Sequence, residues 1–439
     1  MNTPILDAGK VSGSKASAVD RTRYQRVGVI GLGYVGLPQA LAFTRAGFPV
    51  CGVDNDPRIG ESLLAGRSPI DTIADQEIRG AGESLHVALD PGELQTCHAV
   101  LICVPTPLGA DGRPDLDPLT AAAATVAENL VPGQLIVVES TVHPGATDEI
   151  VRPILEVGGL TAGRDFHLAF APERIDPGNR QHTLTNTPRV IGGFTSQCAR
   201  RAADLYGRVM ESIHITPGLK EAEAAKILEN IYRQVNLALV HEFAVYCGVA
   251  GIDVGAAIEA AGTKPFGFQA FYPAAGVGGH CIPVDPMYLV AAARQVGSPM
   301  TLVERAQEIN ESRPRRLVEE SAQLLAENGR TLYGARVLVL GLTYKPNIAD
   351  VRNSPAVSLV RELVAAGANV TIHDPFISEL VVDDVALPVV LDVQSAIATA
   401  DLVLLAQRHE NYRPALLQEA RLLHIADVRM RGGDKEWTS

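Results

Sequence analysis

The segment Tyr272-Pro-Ala-Ala-Gly-Val-Gly-Gly-His-Cys-Ile-Pro-Val-Asp-Pro286 sets a lone thiol, Cys281, in a loop of glycine and proline. Gly276, Gly278 and Gly279 precede it, and Asp285 follows. Glycine backbone comes close to a ligand and takes positive φ, so such a loop suits a nucleophile. A tight turn around a small buried cysteine fits the same string. Lys226 and Asn230 stand four residues apart and share a helix face, from which both could enter one cleft or both could meet water. Glu173 follows an apolar run; it could be a general base, although a plain loop acid is the simpler reading.

The elements that must position these groups are legible as punctuation. Val27-Gly-Val-Ile30 reads as a buried parallel strand. Gly31-Leu-Gly33-Tyr34-Val35-Gly36 follows, then helical spacing over 37–46, a stop at Gly47, and a strand over 48–53 that ends in Asp54. Asp54 lies about 20 residues beyond Gly33, which completes the dinucleotide fingerprint; a tight strand-to-helix turn is the plainer alternative. The glycines would let backbone amides and the helix N-terminus meet a pyrophosphate. Asp54 would bind ribose hydroxyls and repel a 2′-phosphate, which favours NAD over NADP. Predicted strands at 99–104 and 135–139 run into Pro105-Thr106-Pro107 and Ser140-Thr141-Val-His-Pro-Gly145, loops placed to line the cofactor and the reacting atom. A strand at 166–170 leads to Pro172-Glu173-Arg174.

From 220 to 251 the pattern is helical and long, with Ala222, Ala225, Leu228, Tyr232, Val235, Leu239 and Phe243 at steps of three and four. This reads as a spine that joins two domains and packs on a second subunit. Helical spacing resumes over 286–310 and is expected to break at Ser312-Arg-Pro314. A strand over 336–340 then runs into Gly341-Leu-Thr-Tyr344-Lys345-Pro. A helix over 355–366, a strand over 370–373 ending in Asp374 and a strand over 401–406 follow. This is a second, degenerate βαβ nucleotide fold, with Lys345 and Arg352 near its first turn, either at a phosphate or in surface salt bridges.

Composition bounds the function. The chain has 439 residues, 46% hydrophobic and 20% charged, enough for two or three cores in a globular α/β protein. No run approaches the roughly 18 apolar residues of a membrane span. The polar opening segment lacks a secretory core and reads as a loose tail. Six cysteines without metal-ligand spacing suggest reduced thiols in a cytoplasmic protein and no metal site. A net charge of −12 argues against nucleic acid as partner. The expected domains are a tail at 1–23, an NAD-binding Rossmann domain at 24–216, a central helical dimerisation domain carrying the Cys loop at 217–312, and a C-terminal Rossmann-like domain at 313–439 for a second nucleotide-bearing ligand.

From about Arg26 to Asp427 the chain resembles the nucleotide-sugar 6-dehydrogenases, the UDP-glucose/GDP-mannose dehydrogenase family. The ordered matches are Gly31 to Pro38, Val104 to Pro107, Ser140-Thr141 with Pro144-Gly145, Pro172-Glu173-Arg174, Lys226 to Asn230, Gly278 to Asp285, and Gly341 to Pro346 with Asp350, Arg352 and Ser354-Pro-Ala356. The resemblance implies a four-electron oxidation of CH2OH to carboxylate with NAD as acceptor, and a UDP-sugar as the ligand of the 313–439 domain. Cys281 would capture the C6 aldehyde, and Lys226 with Asn230 would stabilise the oxyanion. Asp285 would handle protons, and Thr141 and Glu173 would act through a water, Glu173 as base for thioester hydrolysis. Lys226 would favour loss of the Cys281 proton. The resemblance also implies cofactor contacts at Gly31, Gly33, Tyr34, Val35, Gly36, Asp54, Pro105, Thr106 and Thr141. Substrate contacts would come from Arg174, Lys226, Asn230, Phe271, Tyr272, Gly276, Gly278, Tyr344, Lys345 and Arg352.

The Pro172–Asn179 loop, Lys264-Pro-Phe-Gly-Phe268 and Phe271-Tyr-Pro273 are similar to the UDP-N-acetylglucosamine branch, which favours that substrate over UDP-N-acetylmannosamine and UDP-glucose. Pro273-Ala-Ala-Gly276 departs from that branch, which has Pro-Gly-Pro-Gly there; alanine narrows the backbone freedom of a loop that would touch the sugar. A hydroxyacid-type two-electron dehydrogenase and a non-catalytic nucleotide-sugar-binding protein are the rival readings. The first would ignore loss of Cys281, and the second would bind without releasing NADH.

Overall fold

The computed structural model describes residues 26–175, 181–383, 385–412 and the backbone of 422–424. The tail expected at 1–23 and the 176–179 part of the Pro172 loop lie outside the described residues.

The first apolar runs build one eight-stranded sheet from β1 (Val27–Ile30), β2 (Val50–Val53), β3 (Leu85–Val87), β4 (Ala99–Ile102), β5 (Leu135–Val138), β6 (His167–Phe170), β7 (Arg189–Gly193) and β8 (Ile213–Ile215). The order is β3-β2-β1-β4-β5-β6-β7-β8, and every pairing is parallel except β6 with β7. Two hydrophobic clusters cover the two faces, which is why these strands read as continuous apolar runs rather than alternations. With β1 between β2 and β4, the chain leaves β1 and β4 toward opposite faces. The crevice at this switch is where such sheets bind ligands.

A second sheet, ordered β10-β9-β13-β14, repeats the design with β9 (Arg336–Leu340), β10 (Asn369–His373), β13 (Leu402–Leu405) and β14 (Leu422–His424); β11 (Leu380–Val382) and β12 (Val385–Leu387) form a separate antiparallel ribbon. The parallel between the halves reaches single atoms. Gly31 (φ 86°) and Gly341 (φ 81°) both leave their first strand in the left-handed region. The amide of Leu32 donates to Asp54 at 2.7 Å, and that of Leu342 to Asp374 at 2.6 Å. In each half an acid at the end of the second strand pins the turn after the first.

Between the sheets lie the long helix Leu219–Ala250, closed by Gly251 at φ 67°, and the helices Asp285–Gln295 and Thr301–Glu327. The break expected at Ser312-Arg-Pro314 does not occur. The helical run instead pauses at 296–300, and Pro314 sits buried inside the third helix. A division of the chain at 312/313 therefore falls within a helix. Proline lacks the N–H that would bond the carbonyl four residues back, here that of Asn310. The helix continues past Pro314, and the backbone of Gly276 lies beside that carbonyl, which is 3.5 Å from where a Cβ on Gly276 would stand. Leu228, Tyr232, Leu239, Phe243, Tyr246 and Val249 leave an exposed apolar stripe on the long helix. Among the described residues no helix is long and apolar enough to cross a membrane.

One ionic cluster is buried under the first sheet's carboxyl edge. Arg189 pairs with Glu139 and, at 2.7 Å, with Glu173, while the hydroxyl of Tyr206 donates to Glu139. Burial pushes the Glu139 carboxyl up despite Arg189, and the two carboxylates outweigh burial to raise Arg189 further. Removing one partner of such a cluster leaves an uncompensated charge in the interior. Arg189→Met is therefore expected to destabilise the first domain by about 3–5 kcal/mol, read as a lower urea midpoint. An unchanged midpoint would show that the cluster is not needed for stability.

Candidate functional site

The first half of the site is the β1–β4 crevice. Gly36 opens the helix Gly36–Arg45, and a Cβ there would lie 1.8 Å from the carbonyl of Gly31. A Cβ on Gly33 would meet no atom within 4 Å, so its backbone faces open space. Asp54 stands half-buried beside this turn, with one carboxylate oxygen on Leu32 and the other accepting from Asp56 at 2.9 Å. Thr106 and Thr141 stand half-buried on the loops that follow β4 and β5, and Pro105 is exposed. Ser140 ties these loops together by donating to Val104 at 2.7 Å. Glycines without Cβ, a helix N-terminus and an acid at the second strand fit a dinucleotide.

The thiol lies on the central helices. Cys281 is exposed, and the other five cysteines are buried. Its carbonyl accepts from the Asp285 amide at 2.8 Å, which ties the Cys281 backbone to the start of the helix Asp285–Gln295. From the long helix Asn230 donates to the Asp285 carboxylate at 2.5 Å. Although the residue as a whole is exposed, burial of the thiol and then Asp285 push it up to about 11; Lys226 pulls the other way but does not win. Asp285 is pushed up to about 6 by burial, against Lys226 and Asn230. The expected help from Lys226 is thus present in sign and outweighed in size. Thiol, ammonium, carboxamide and carboxylate form one cluster, as their spacing allowed.

Glu173 is brought near but is committed. Its carboxylate accepts from Gln39 at 2.6 Å, Arg189 at 2.7 Å, and the amides of Arg174 and Ile175 at 2.6 and 2.7 Å. These fill the acceptor positions of a carboxylate. Arg174 pairs with Glu229 at 2.6 Å and donates to the carbonyl of Pro188 at 2.7 Å.

The C-terminal loop closes over the thiol segment. A Cβ on Gly278 would lie 2.8 Å from Tyr344, and one on Gly279 would lie 2.9 Å from the same ring. Asn353 donates to the carbonyl of Gly279 at 3.3 Å. Lys345 is half-buried in this loop. Arg352 pairs with Asp350 at 2.6 Å and lies 4.5 Å over the ring of Tyr34, the exposed aromatic of the first glycine turn. Tyr34 in turn donates to Asp71 at 3.0 Å. Of the aromatics before the thiol, Phe271 packs edge-on against Tyr232 at 5.8 Å, and Tyr272 is half-buried.

Several contributors escaped the sequence reading. Tyr288 is fully buried and donates to the carbonyls of Pro107 and Asp115 at 3.3 and 3.5 Å, linking the loop after β4 to the helix of Asp285. Its place three residues after Asp285 was the available signal, but a helix face alone does not name its neighbour. Gln39, Asp71 and His241 had no local signal.

Models of the UDP-glucose/GDP-mannose dehydrogenase family match the chain in three blocks: the NAD-binding domain at 25–210, the central domain at 220–312 and the UDP-binding domain at 338–430. A UDP-N-acetyl-D-glucosamine 6-dehydrogenase from Pseudomonas aeruginosa is 37% identical over 359 residues, 80% of this chain and 83% of the relative. A UDP-N-acetyl-D-mannosamine dehydrogenase from Pyrococcus horikoshii is 35% identical over 356 residues, 80% of this chain and 84% of the relative. The solved UDP-D-ManNAc dehydrogenase structure from Pyrococcus horikoshii superposes with a TM-score of 0.83 at 31% identity, covering 93% of this chain and 96% of that one. With an NAD-binding first domain and a UDP-binding last one, the chain belongs to the UDP-glucose/GDP-mannose dehydrogenase family and is an NAD-dependent UDP-sugar dehydrogenase.

Proposed function

We propose that the chain oxidises the C6 hydroxymethyl of UDP-N-acetylglucosamine to a carboxylate through a thioester on Cys281. The observation that carries this reading is Cys281, the one exposed cysteine, whose inward-set thiol has Lys226 and Asp285 as the charged groups acting on it. An enzyme that stopped at the carbonyl would not need it. When bound, NAD+ accepts one hydride from C6 at each of the two oxidations. Cys281 adds to the aldehyde: the S–C6 bond forms, the carbonyl oxygen becomes an alkoxide, and the thiol proton passes to Asp285. Lys226 and Asn230 stabilise that alkoxide. After the second oxidation, water adds at C6 and the C–S bond breaks, with the electron pair leaving on sulfur. Each turnover consumes one water and releases three protons, which balances two NADH and one carboxylate. Thr141 orients the water. With the acceptors of Glu173 filled, its proposed part becomes holding the loop; Asp285 loses the thiol proton to solvent before hydrolysis, then takes a proton from the water and returns it to the departing thiolate.

Tyr344, Lys345 and Arg352 are assigned to the UDP, and Arg174, Phe271, Tyr272, Gly276 and Gly278 to the sugar side. Arg352 reaches a phosphate by exchanging its contacts with Asp350 and Tyr34. Between the N-acetylated sugars, the relative at 37% identity and the Lys264–Phe268 and Phe271–Pro273 segments favour the glucosamine form. UDP-N-acetylmannosamine is the second reading, since relatives carry that name too. The exposed stripe of the long helix is proposed as a homodimer seam, and the free thiols favour the cytoplasm.

Three outcomes are expected. Wild type should release about two NADH per UDP-N-acetylglucosamine, and Cys281→Ser should stall. A ratio near one with the variant unaffected overturns the thioester route, and turnover of UDP-N-acetylmannosamine alone overturns the sugar. In ligand-free enzyme, iodoacetamide should label Cys281 about tenfold faster per pH unit up to about 11, because only the thiolate reacts. Lys226→Met removes a cation that lowers this value, so labelling at pH 8 should slow; faster labelling would refute the sign. Finally, Leu239→Asp should shift light scattering from dimer to monomer, and an unchanged mass moves the seam elsewhere.

A further inference from the structure

We propose that His241 is a positioning residue that holds, through the backbone of Ala274, the segment carrying Cys281. The inference rests on the reading of Cys281 as nucleophile. His241 is 1% exposed in the middle of the long helix, 15 residues beyond Lys226 and outside every motif that carries the chemistry. Its ring meets two partners. Nδ1 lies 2.9 Å from the Asn310 side-chain oxygen, and Nε2 lies 3.1 Å from the amide nitrogen of Ala274.

The proton positions follow by elimination. Asn310 spends its amide N–H on the carbonyl of Gln234 at 3.1 Å, so its oxygen faces His241 as an acceptor. Nδ1 must therefore carry the hydrogen. Nε2 is left with a lone pair, and the Ala274 N–H is a donor that needs one. The imidazole is neutral in one tautomer, and burial pushes it down to about 4, which keeps it so at physiological pH. Arg313, in the other long helix, donates to the carbonyl of the same residue at 3.4 Å and is itself tied to Glu320 at 2.7 Å. Both polar groups of the Ala274 backbone are thus held from the central helices.

The rest of the segment is held from the opposite side. A Cβ on Gly276 would lie 2.8 Å from Pro355, and Gly278 and Gly279 press on Tyr344. The segment from 274 to 279 is a bridge with its near end on the helices that bear Lys226 and Asn230 and its far end on the C-terminal loop. Cys281 follows two residues later. Release of the His241 bond frees the near end of this bridge from the helix that bears Lys226, and the thiol is then held by the Asp285 turn and the C-terminal loop, which do not fix its distance from Lys226.

The test compares His241→Leu, which keeps bulk but removes the acceptor, with His241→Gln, whose amide oxygen can replace it. A third variant, Ala274→Pro, deletes the same hydrogen bond from the loop side and leaves the helix core intact. His241→Leu and Ala274→Pro should each lower kcat about tenfold to a hundredfold, the scale of a 1 Å misplacement, with KM for NAD+ within about twofold. Both should change the iodoacetamide rate of Cys281 by about threefold or more, and His241→Gln should restore kcat and labelling. The proposal is overturned if neither variant alters kcat or labelling, or if His241→Gln behaves like His241→Leu. The labelling arm needs no substrate, so it still decides the point if no UDP-sugar is turned over by the wild type.

Discussion

The proposed role of Cys281 as a nucleophile on a loop requires that the backbone around it cannot drift, and that constraint falls on residues 274–281. Three glycines give up their Cβ so that the segment can lie against Tyr344, Asn353 and Pro355, where a methyl group would stand within 3 Å of neighbouring atoms. The helix below carries a proline whose missing N–H leaves the Asn310 carbonyl facing Gly276. The contacts of His241 and Arg313 complete the seat. The two long helices and the C-terminal loop come together at this stretch of chain.

The charges around the thiol oppose one another. Burial and Asp285 disfavour a thiolate, and Lys226 favours one. Asn230 steadies the Asp285 carboxylate, which burial would otherwise protonate more readily still. Two groups whose charged forms repel share a site with one cation, so ionisation of one makes ionisation of the other harder. Such a cluster suits a thiol that passes its proton to a neighbour as it reacts.

The two halves of the molecule share a construction and differ where ligands meet it. Asp54 stands half-buried at an open crevice. Asp374, its counterpart, is buried, and it accepts from His409 at 3.0 Å as well as from Leu342 and Phe376. These hydrogen bonds outweigh burial and hold it below the usual carboxylate range. His409 also accepts from the amide of Asn347, in a turn where Asn347 and Asn353 take positive φ. The position of Asp54, proposed to meet a ribose, is taken up in the second half by an acid bonded to a histidine side chain. This agrees with a family in which one domain binds a dinucleotide and the other UDP.

Local order was legible because it is written in local terms. The turn at Gly31, the acid at Asp54, the length of the spine helix and the second βαβ unit follow from periodicity and from backbone freedom at glycine. So does the shared face of Lys226 and Asn230. Pro314 does not stop the third helix, because a proline costs one backbone hydrogen bond and the packing of a 27-residue helix outweighs that local penalty. The commitment of Glu173 to Gln39 and Arg189, the stacking of Arg352 on Tyr34, and the hold of His241 on Ala274 are all contacts between distant segments. Spacing along a chain states which residues share a face. Which face meets which is settled only by packing, because many partners of equal local propensity compete and burial selects the set that leaves the fewest polar groups unpaired.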